Sequence, residues 1–112
     1  MLTRPAGFGQ KQTLPISDHL MIQSITLNLP SDLSTADWNK VSAVYRSMDG
    51  WLEKHSSWFG PWDSERFIAV SVEPSGLLVE GNVDPLLFRG WITKLCAKLT
   101  AALGREVYDA EV

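Results

Sequence analysis

The chain has one cysteine, two histidines and no long apolar run. A single cysteine, Cys96, excludes an intramolecular disulfide and any zinc or iron–sulfur site built from several cysteines. Proteins without disulfides are typical of reducing compartments, so we expect a cytoplasmic protein. Pro5, Gly7 and Gly9 interrupt the N-terminal residues, and no segment approaches the roughly 20 apolar residues of a membrane span. We therefore expect neither a secretory signal nor a membrane contact.

Several motifs of catalysis and nucleotide binding are also missing from the sequence. It contains no phosphate-binding loop, no dinucleotide-binding glycine pattern, no HExxH pair and no GxSxG elbow. The net charge is −3, whereas proteins that bind nucleic acids carry a basic surface. We expect no cofactor, no metal and no nucleic-acid partner, and we favour a non-enzymatic function.

What the composition does provide is an ordinary globular domain with an aromatic core. The 112 residues are 45% hydrophobic and 21% charged, and five of them are tryptophan. Each large aromatic side chain can bury about 150–250 Å², so one small core is feasible. Residues 1–20 show no periodicity and contain two prolines and two glycines. They predict a flexible arm, either an upstream start or an expression remnant, before a single domain over 21–112.

The first half of that domain predicts a strand followed by a helix. Ile25, Leu27 and Leu29 alternate with polar residues, which is the period of a strand with one buried face. Ser34 can cap a helix over 35–54. The apolar stripe of this helix recurs at steps of three and four residues and comprises Trp38, Val41, Tyr45, Met48 and Leu52.

The second half predicts a hairpin, a helix and a last strand. Two strands, 67–72 and 77–81, flank the turn Glu73-Pro74-Ser75-Gly76. A helix over 85–103 follows, with Asp84 as its N-cap and Gly104 just past its end. Residues 107–112 predict a short closing strand.

The predicted element order is strand, helix, strand, strand, helix, strand. This order is typical of an α+β, ferredoxin-like βαββαβ sandwich. Its four-stranded antiparallel sheet has the order 4-1-3-2, and both helices cover one face. We expect Ile25, Ile68, Val79 and Tyr108 to face the helices. The opposite, open face would then carry Phe67 and the acids Glu80, Asp109 and Glu111.

That acidic face is either an ordinary solvated surface or a docking surface for a basic partner or a second copy. The aromatic connection before the second strand offers another contact. Such aromatics usually fold over the core, but an exposed tryptophan is a frequent interface anchor. We therefore assign partner binding to Trp58 and Trp62, together with Glu80, Asp109 and Glu111.

The leading hypothesis is a non-catalytic protein-binding domain, either a bacterial immunity protein that neutralises a basic toxin or an adaptor. It rests on size and charge. The alternative is a ligand-binding or enzymatic dimer with a pocket around Trp51, Trp58 and Trp62, in which His55 would be the acid–base group. A structural subunit of a larger assembly is a third possibility.

Overall fold

The structure is a computed structural model, and it describes residues 22–111. In chain order its elements are β1 (Gln23–Leu27), α1 (Thr35–Ser47), β2 (Trp51–Leu52), β3 (Ser57–Trp58), β4 (Phe67–Glu73), β5 (Gly76–Asn82) and α2 (Pro85–Leu103). The predicted α+β class is confirmed. The predicted arm, 1–20, lies outside the described residues, and the single-domain assignment stays a prediction. Within the described part of the chain, no helix has the length and apolar character needed to span a bilayer.

Among residues 22–111, the sheet has five antiparallel strands in the order β1-β5-β4-β3-β2. The four-stranded order predicted from the sequence is not matched exactly. Two short strands, β2 and β3, extend the edge beyond β4, and the predicted strand 107–112 is reduced to an isolated bridge between Leu27 and Asp109. The strand stops there because the Glu111 N–H turns back to donate to the Asp109 carboxylate, at 2.9 Å.

Helix α1 ends at Ser47, seven residues before the predicted end. Met48 leaves the helical region with ψ at 147°, and Gly50 has φ at +89°, a left-handed conformation that glycine adopts without strain. The chain then reverses, and the Phe59 N–H donates to the Gly50 carbonyl at 2.7 Å. Leu52, which was predicted to continue the apolar stripe of α1, instead lies in β2, the first strand of a β-hairpin.

The predicted helix caps and the central hairpin are confirmed. Ser34 Oγ accepts from the Asp37 N–H at 3.1 Å. Asp84 accepts from the first turn of α2, and Gly104 ends this helix with φ at +70°. Between β4 and β5 the chain turns at Gly76, where φ is +140° and a Cβ would collide with the Leu27 carbonyl oxygen.

The core lies between one face of the sheet and both helices. Its most buried side chains come from every layer: Leu27, Leu29, Val41, Trp58, Ile68, Leu77, Val79, Leu95 and Leu99.

Ile68 and Val79 therefore face the helices as predicted. Tyr108 does not, because it is 53% exposed while Val107 is buried. Phe67, predicted to lie exposed on the open face, is also buried. The error at Tyr108 is a shift of one residue, which moves side chains to the other face of a strand.

Candidate functional site

Trp58 lies at the centre of an aromatic cluster inside the protein. Its side chain is 0% exposed, and its ring centroid lies 5.3 Å from that of Tyr45, 5.1 Å from that of Trp51 and 4.8 Å from that of Trp91. The indole Nε1–H donates to the Tyr45 carbonyl at 2.9 Å. Trp58 is thus a core residue and presents nothing to a partner.

Trp51 belongs to the same cluster but reaches its edge. Its Nε1–H donates to Glu53 Oε1 at 2.8 Å, and Arg46 Nε donates to the same oxygen at 3.2 Å. The hydrogen bond from Trp51, followed by that from Arg46, lowers the pKa of the Glu53 carboxyl below its ordinary value. Glu53 therefore stays ionised at neutral pH, which makes it a poor general acid.

His55 occupies the exposed turn between β2 and β3. Its backbone N–H donates to the Leu52 carbonyl at 3.0 Å. Among residues 22–111 there is no group of three or more His, Cys, Asp or Glu side chains that could hold a metal ion. The ligand pocket of the alternative hypothesis would need space beside Trp51 and Trp58, yet their own rings are in contact there.

Trp62 differs from the other four tryptophans because its side chain is exposed, by 53%. It sits in a turn that the Ser64 N–H closes by donating to the Pro61 carbonyl at 3.1 Å. We call residues 59–66 the Trp62 loop. Phe59, its first residue, and Asp63, which directly follows Trp62, have φ at +71° and +70°. A left-handed conformation is costly for phenylalanine, whereas aspartate adopts it more readily, and strained residues occur preferentially at functional sites.

The body of the protein holds the Trp62 loop at several points. Ser57 Oγ–H donates to the Gly60 carbonyl at 2.7 Å, and Asn82 Nδ2–H donates to the Glu65 carbonyl at 3.1 Å. The guanidinium of Arg66 lies 4.8 Å from the centroid of the Phe59 ring, within the range of a cation–π contact. The loop is therefore ordered in the absence of a partner.

The three acids assigned to partner binding do not share one face. Glu80 lies opposite Ala69 on β4 and Ser24 on β1, on the side away from the helices. Asp109 pairs with Leu27, whose side chain is in the core, so Asp109 lies on the helix side. Glu111 is exposed beyond the bridge. Because Val107 points toward the core, Asp109, two residues later, lies on the same side, away from the face that carries Glu80.

Within the described part of the chain, two surface grooves border helix α2. The first, of about 430 Å³, lies between β1 and α2, and its lining includes Ile25, Phe88, Arg89, Ile92 and Asp109. The second, of about 290 Å³, is lined by Asp49, Phe59, Leu86, Leu87, Gly90, Trp91 and Lys94. Sequence reasoning missed both, because their walls come from distant segments. For the second groove the sequence did offer one signal, which is Gly90 in the middle of a predicted helix.

Cys96, on the side of α2 that packs against the sheet, is partly buried. Burial is the main cause that raises the pKa of its thiol, and the charge of Asp109 adds to the effect. A raised pKa leaves less thiolate, which is the reactive form of cysteine. The geometry thus supports a structural role for this side chain.

Burial of Tyr45 predicts a loss of stability at alkaline pH. Desolvation of the phenolate raises the pKa of Tyr45 far above its ordinary value. Above about pH 10 the unfolded chain loses this proton while the folded chain keeps it, so stability falls by about 1.4 kcal/mol per pH unit. Urea unfolding from about pH 8 to about pH 11 should show a shallower decline for Tyr45→Phe than for wild type. Identical slopes would contradict this account.

The chain matches no known family model, no curated protein and no solved structure.

Proposed function

We propose that this protein is a non-catalytic protein-binding domain and that Trp62 anchors its partner. The observation that carries the proposal is the exposure of Trp62, at 53%, in a chain whose other tryptophans are buried or partly buried. Tryptophan is enriched among the few residues that supply most of the binding energy at interfaces, because one rigid side chain buries a large area.

Order in the Trp62 loop supports the same proposal. A loop that is held before binding loses less conformational entropy on association than a mobile one. The hydrogen bonds at Gly60 and Glu65 and the stacking of Arg66 on Phe59 supply that order. The positive φ of Phe59, at the start of the loop, is strain that the surrounding structure maintains.

Charge around Trp62 favours a basic partner. Asp63 and Glu65 are exposed beside it, and these two acids outnumber the one base of the loop, Arg66. A partner with an apolar pocket ringed by lysine or arginine would be steered to this loop. The concrete form of the proposal is a cytoplasmic bacterial immunity protein that neutralises a basic toxin, or an adaptor.

We also propose that the fold is a variant of the ferredoxin-like arrangement. Strands β1, β5 and β4 are neighbours in the order predicted for the first three strands, and the segment at Asp109 lies beside β1, where the fourth strand would be. The extra hairpin β2–β3 is then an addition at the opposite edge. It positions the Trp62 loop, which directly follows it.

Replacing Trp62 with alanine tests the proposed anchor. Candidate partners are the products of the neighbouring genes, purified and titrated one by one by calorimetry. We expect one of them to bind, and Trp62→Ala to weaken that binding by at least about 2 kcal/mol, roughly 30-fold.

The matched control is Tyr108→Ala, which removes an aromatic side chain of the same 53% exposure outside the loop. It should change the affinity less than about threefold. Coexpression with a toxic neighbour should restore growth with wild type but not with Trp62→Ala. Absence of any partner at micromolar affinity, or equal effects of the two variants, would sink the proposal.

A further inference from the structure

Strand β1 lies at one edge of the sheet, and only part of its outer side is paired. The Thr26 carbonyl accepts from the Ala110 N–H at 2.7 Å, and the Asn28 N–H donates to the Tyr108 carbonyl at 3.0 Å. Backbone groups of alternate residues point to the same side of a strand, so the N–H and C=O of Ser24 also point outward. No group in the described part of the chain is hydrogen-bonded to them. The first half of β1 is therefore an unpaired edge.

Beside this unpaired edge lies the groove between β1 and α2, which has a volume of about 430 Å³. Ile25, Phe88 and Ile92 give the groove an apolar wall. A strand that paired with Ser24 would direct every second side chain toward this wall, because side chains alternate between the two faces of a sheet. The groove thus offers both backbone hydrogen bonds and an apolar contact to an extended segment.

The two ends of the groove carry opposite charges. Arg89 lies in the first half of α2, and the start of β1 lies beside that half because Gln23 Nε2–H donates to the Val83 carbonyl, just before the helix, at 2.8 Å. Asp109 lies at the other end, where the C-terminal segment pairs with β1. Its carboxylate accepts from the Glu111 N–H at 2.9 Å. In the described part of the chain no carboxylate pairs with the exposed Arg89 side chain, so the charge that still needs a partner is positive.

We propose that this groove binds an extended acidic segment of another protein, which pairs with β1 as an added antiparallel strand. Its backbone hydrogen-bonds to Ser24, its alternate apolar side chains lie on the apolar wall, and an acidic side chain at its C-terminal end meets Arg89. Strand addition of this kind obtains affinity from main-chain hydrogen bonds and specificity from alternate side chains. The segment takes the position into which the chain's own antiparallel segment would continue if it did not turn away after Asp109.

This site goes beyond the proposed function, because no residue of the Trp62 loop lines the groove. The two sites also require opposite charges, since the loop favours a basic partner. Trp62→Ala should therefore bind an acidic peptide as wild type does, whichever result the search for a partner returns.

Synthetic peptides that differ in one charge test the role of Arg89. Each peptide alternates valine with threonine over about seven residues, the length of an ordinary strand, and ends on an amidated glutamate or lysine. Titration followed by nuclear magnetic resonance should give a dissociation constant on the order of 0.1–1 mM for the glutamate peptide and at least about fivefold weaker binding of the lysine peptide. Arg89→Glu should reverse this preference. Arg105→Glu, at an exposed position outside the groove, should leave it unchanged.

The backbone contacts are tested on the unaltered protein and on one variant. A glutamate peptide that is N-methylated on the amides facing β1 should lose its binding, whereas methylation of the opposite amides should leave it. Ser24→Pro removes an N–H that points outward, and proline is tolerated on sheet edges for that reason. This variant should bind the glutamate peptide at least about fivefold more weakly than wild type. Ser24→Ala, which keeps the N–H, should bind as wild type does.

Hydrogen exchange of the Ser24 amide identifies any other occupant of the edge. Exchange should be fast in the protein alone and slowed by the glutamate peptide. Slow exchange in monomeric protein without peptide would assign the edge to the chain's own N-terminal residues, and slow exchange only in a self-associated form would assign it to a second copy. Either result would overturn the proposal, as would equal affinity for the two peptides, no binding at about 3 mM, or binding of the peptide methylated toward β1.

Discussion

Replacing Trp58 with alanine is expected to lower the free energy of unfolding by about 3–5 kcal/mol. The indole is fully buried and contacts the rings of Tyr45, Trp51 and Trp91, so its removal leaves a large cavity. It also leaves the Tyr45 carbonyl without its hydrogen bond from the indole. Domains are stable by only about 5–15 kcal/mol, so a large share of the stability should be lost. Urea unfolding followed by circular dichroism measures the change.

Two further variants show whether this effect depends on position. Trp62→Ala, which removes the exposed indole, should change stability by less than about 0.5 kcal/mol. Trp58→Phe should fall between wild type and Trp58→Ala, because it keeps a ring but loses the hydrogen bond. If the two alanine variants were equally stable, the burial of Trp58 would be refuted.

The second large effect is expected at Gly50. Its φ of +89° is unfavourable for other residues, and a Cβ there would lie 2.7 Å from carbon atoms of the Phe59 ring. Gly50→Ala should therefore destabilise the protein by about 2–4 kcal/mol, from the left-handed backbone and from overpacking. Thermal and urea unfolding at low micromolar concentration should both show the loss.

Gly90→Ala is the matched control for the substitution at Gly50. The same change in side chain at Gly90 enters open space on a helix and should stabilise the protein by about 0.5–1 kcal/mol. The two substitutions are thus expected to change the free energy of unfolding in opposite directions. Destabilisation of similar size at both positions would show that the local geometry described for them is wrong.

The helix starts were predictable because their causes are local. Ser34 and Asp84 each cap a helix by accepting backbone N–H groups two or three residues later. Gly104 ends α2 as its sequence position indicated. Each of these signals depends on a few adjacent residues, and hydrogen bonding within that window is enough to decide the structure.

The end of α1 was not predictable in the same way. Met48 and Leu52 continued the helical period, which favoured a helix to residue 54. In the folded protein the ring of Phe59 packs against Gly50, and Trp51 pairs with Trp58 across a hairpin. These contacts join residues seven to nine positions apart, and tertiary packing overrides the local preference.

The C-terminal strand was misjudged for a related reason. Tyr108 and Val107 are both acceptable on an inward face, so the alternation alone leaves two registers open. The Tyr108 N–H donates to the Asn28 side chain at 2.7 Å, and the Val107 N–H donates to Thr100 Oγ1 at 3.0 Å. These hydrogen bonds to residues distant in sequence orient Val107 toward the core. Asp109 then lies on the helix side of the sheet, whereas Glu80 lies on the opposite face.

The sequence by itself determined the α+β class, the N-caps of both helices, the end of α2, the central hairpin and the exclusion of a disulfide. Only the tertiary structure decided which tryptophan of the aromatic connection is available to a partner. Trp58 pairs with Trp51 and Ile68 and so lies over the core, whereas the turn from Pro61 to Ser64 carries Trp62 outward. The two side chains are chemically identical and four residues apart. Their opposite environments come from which strands they meet, and local sequence does not encode that.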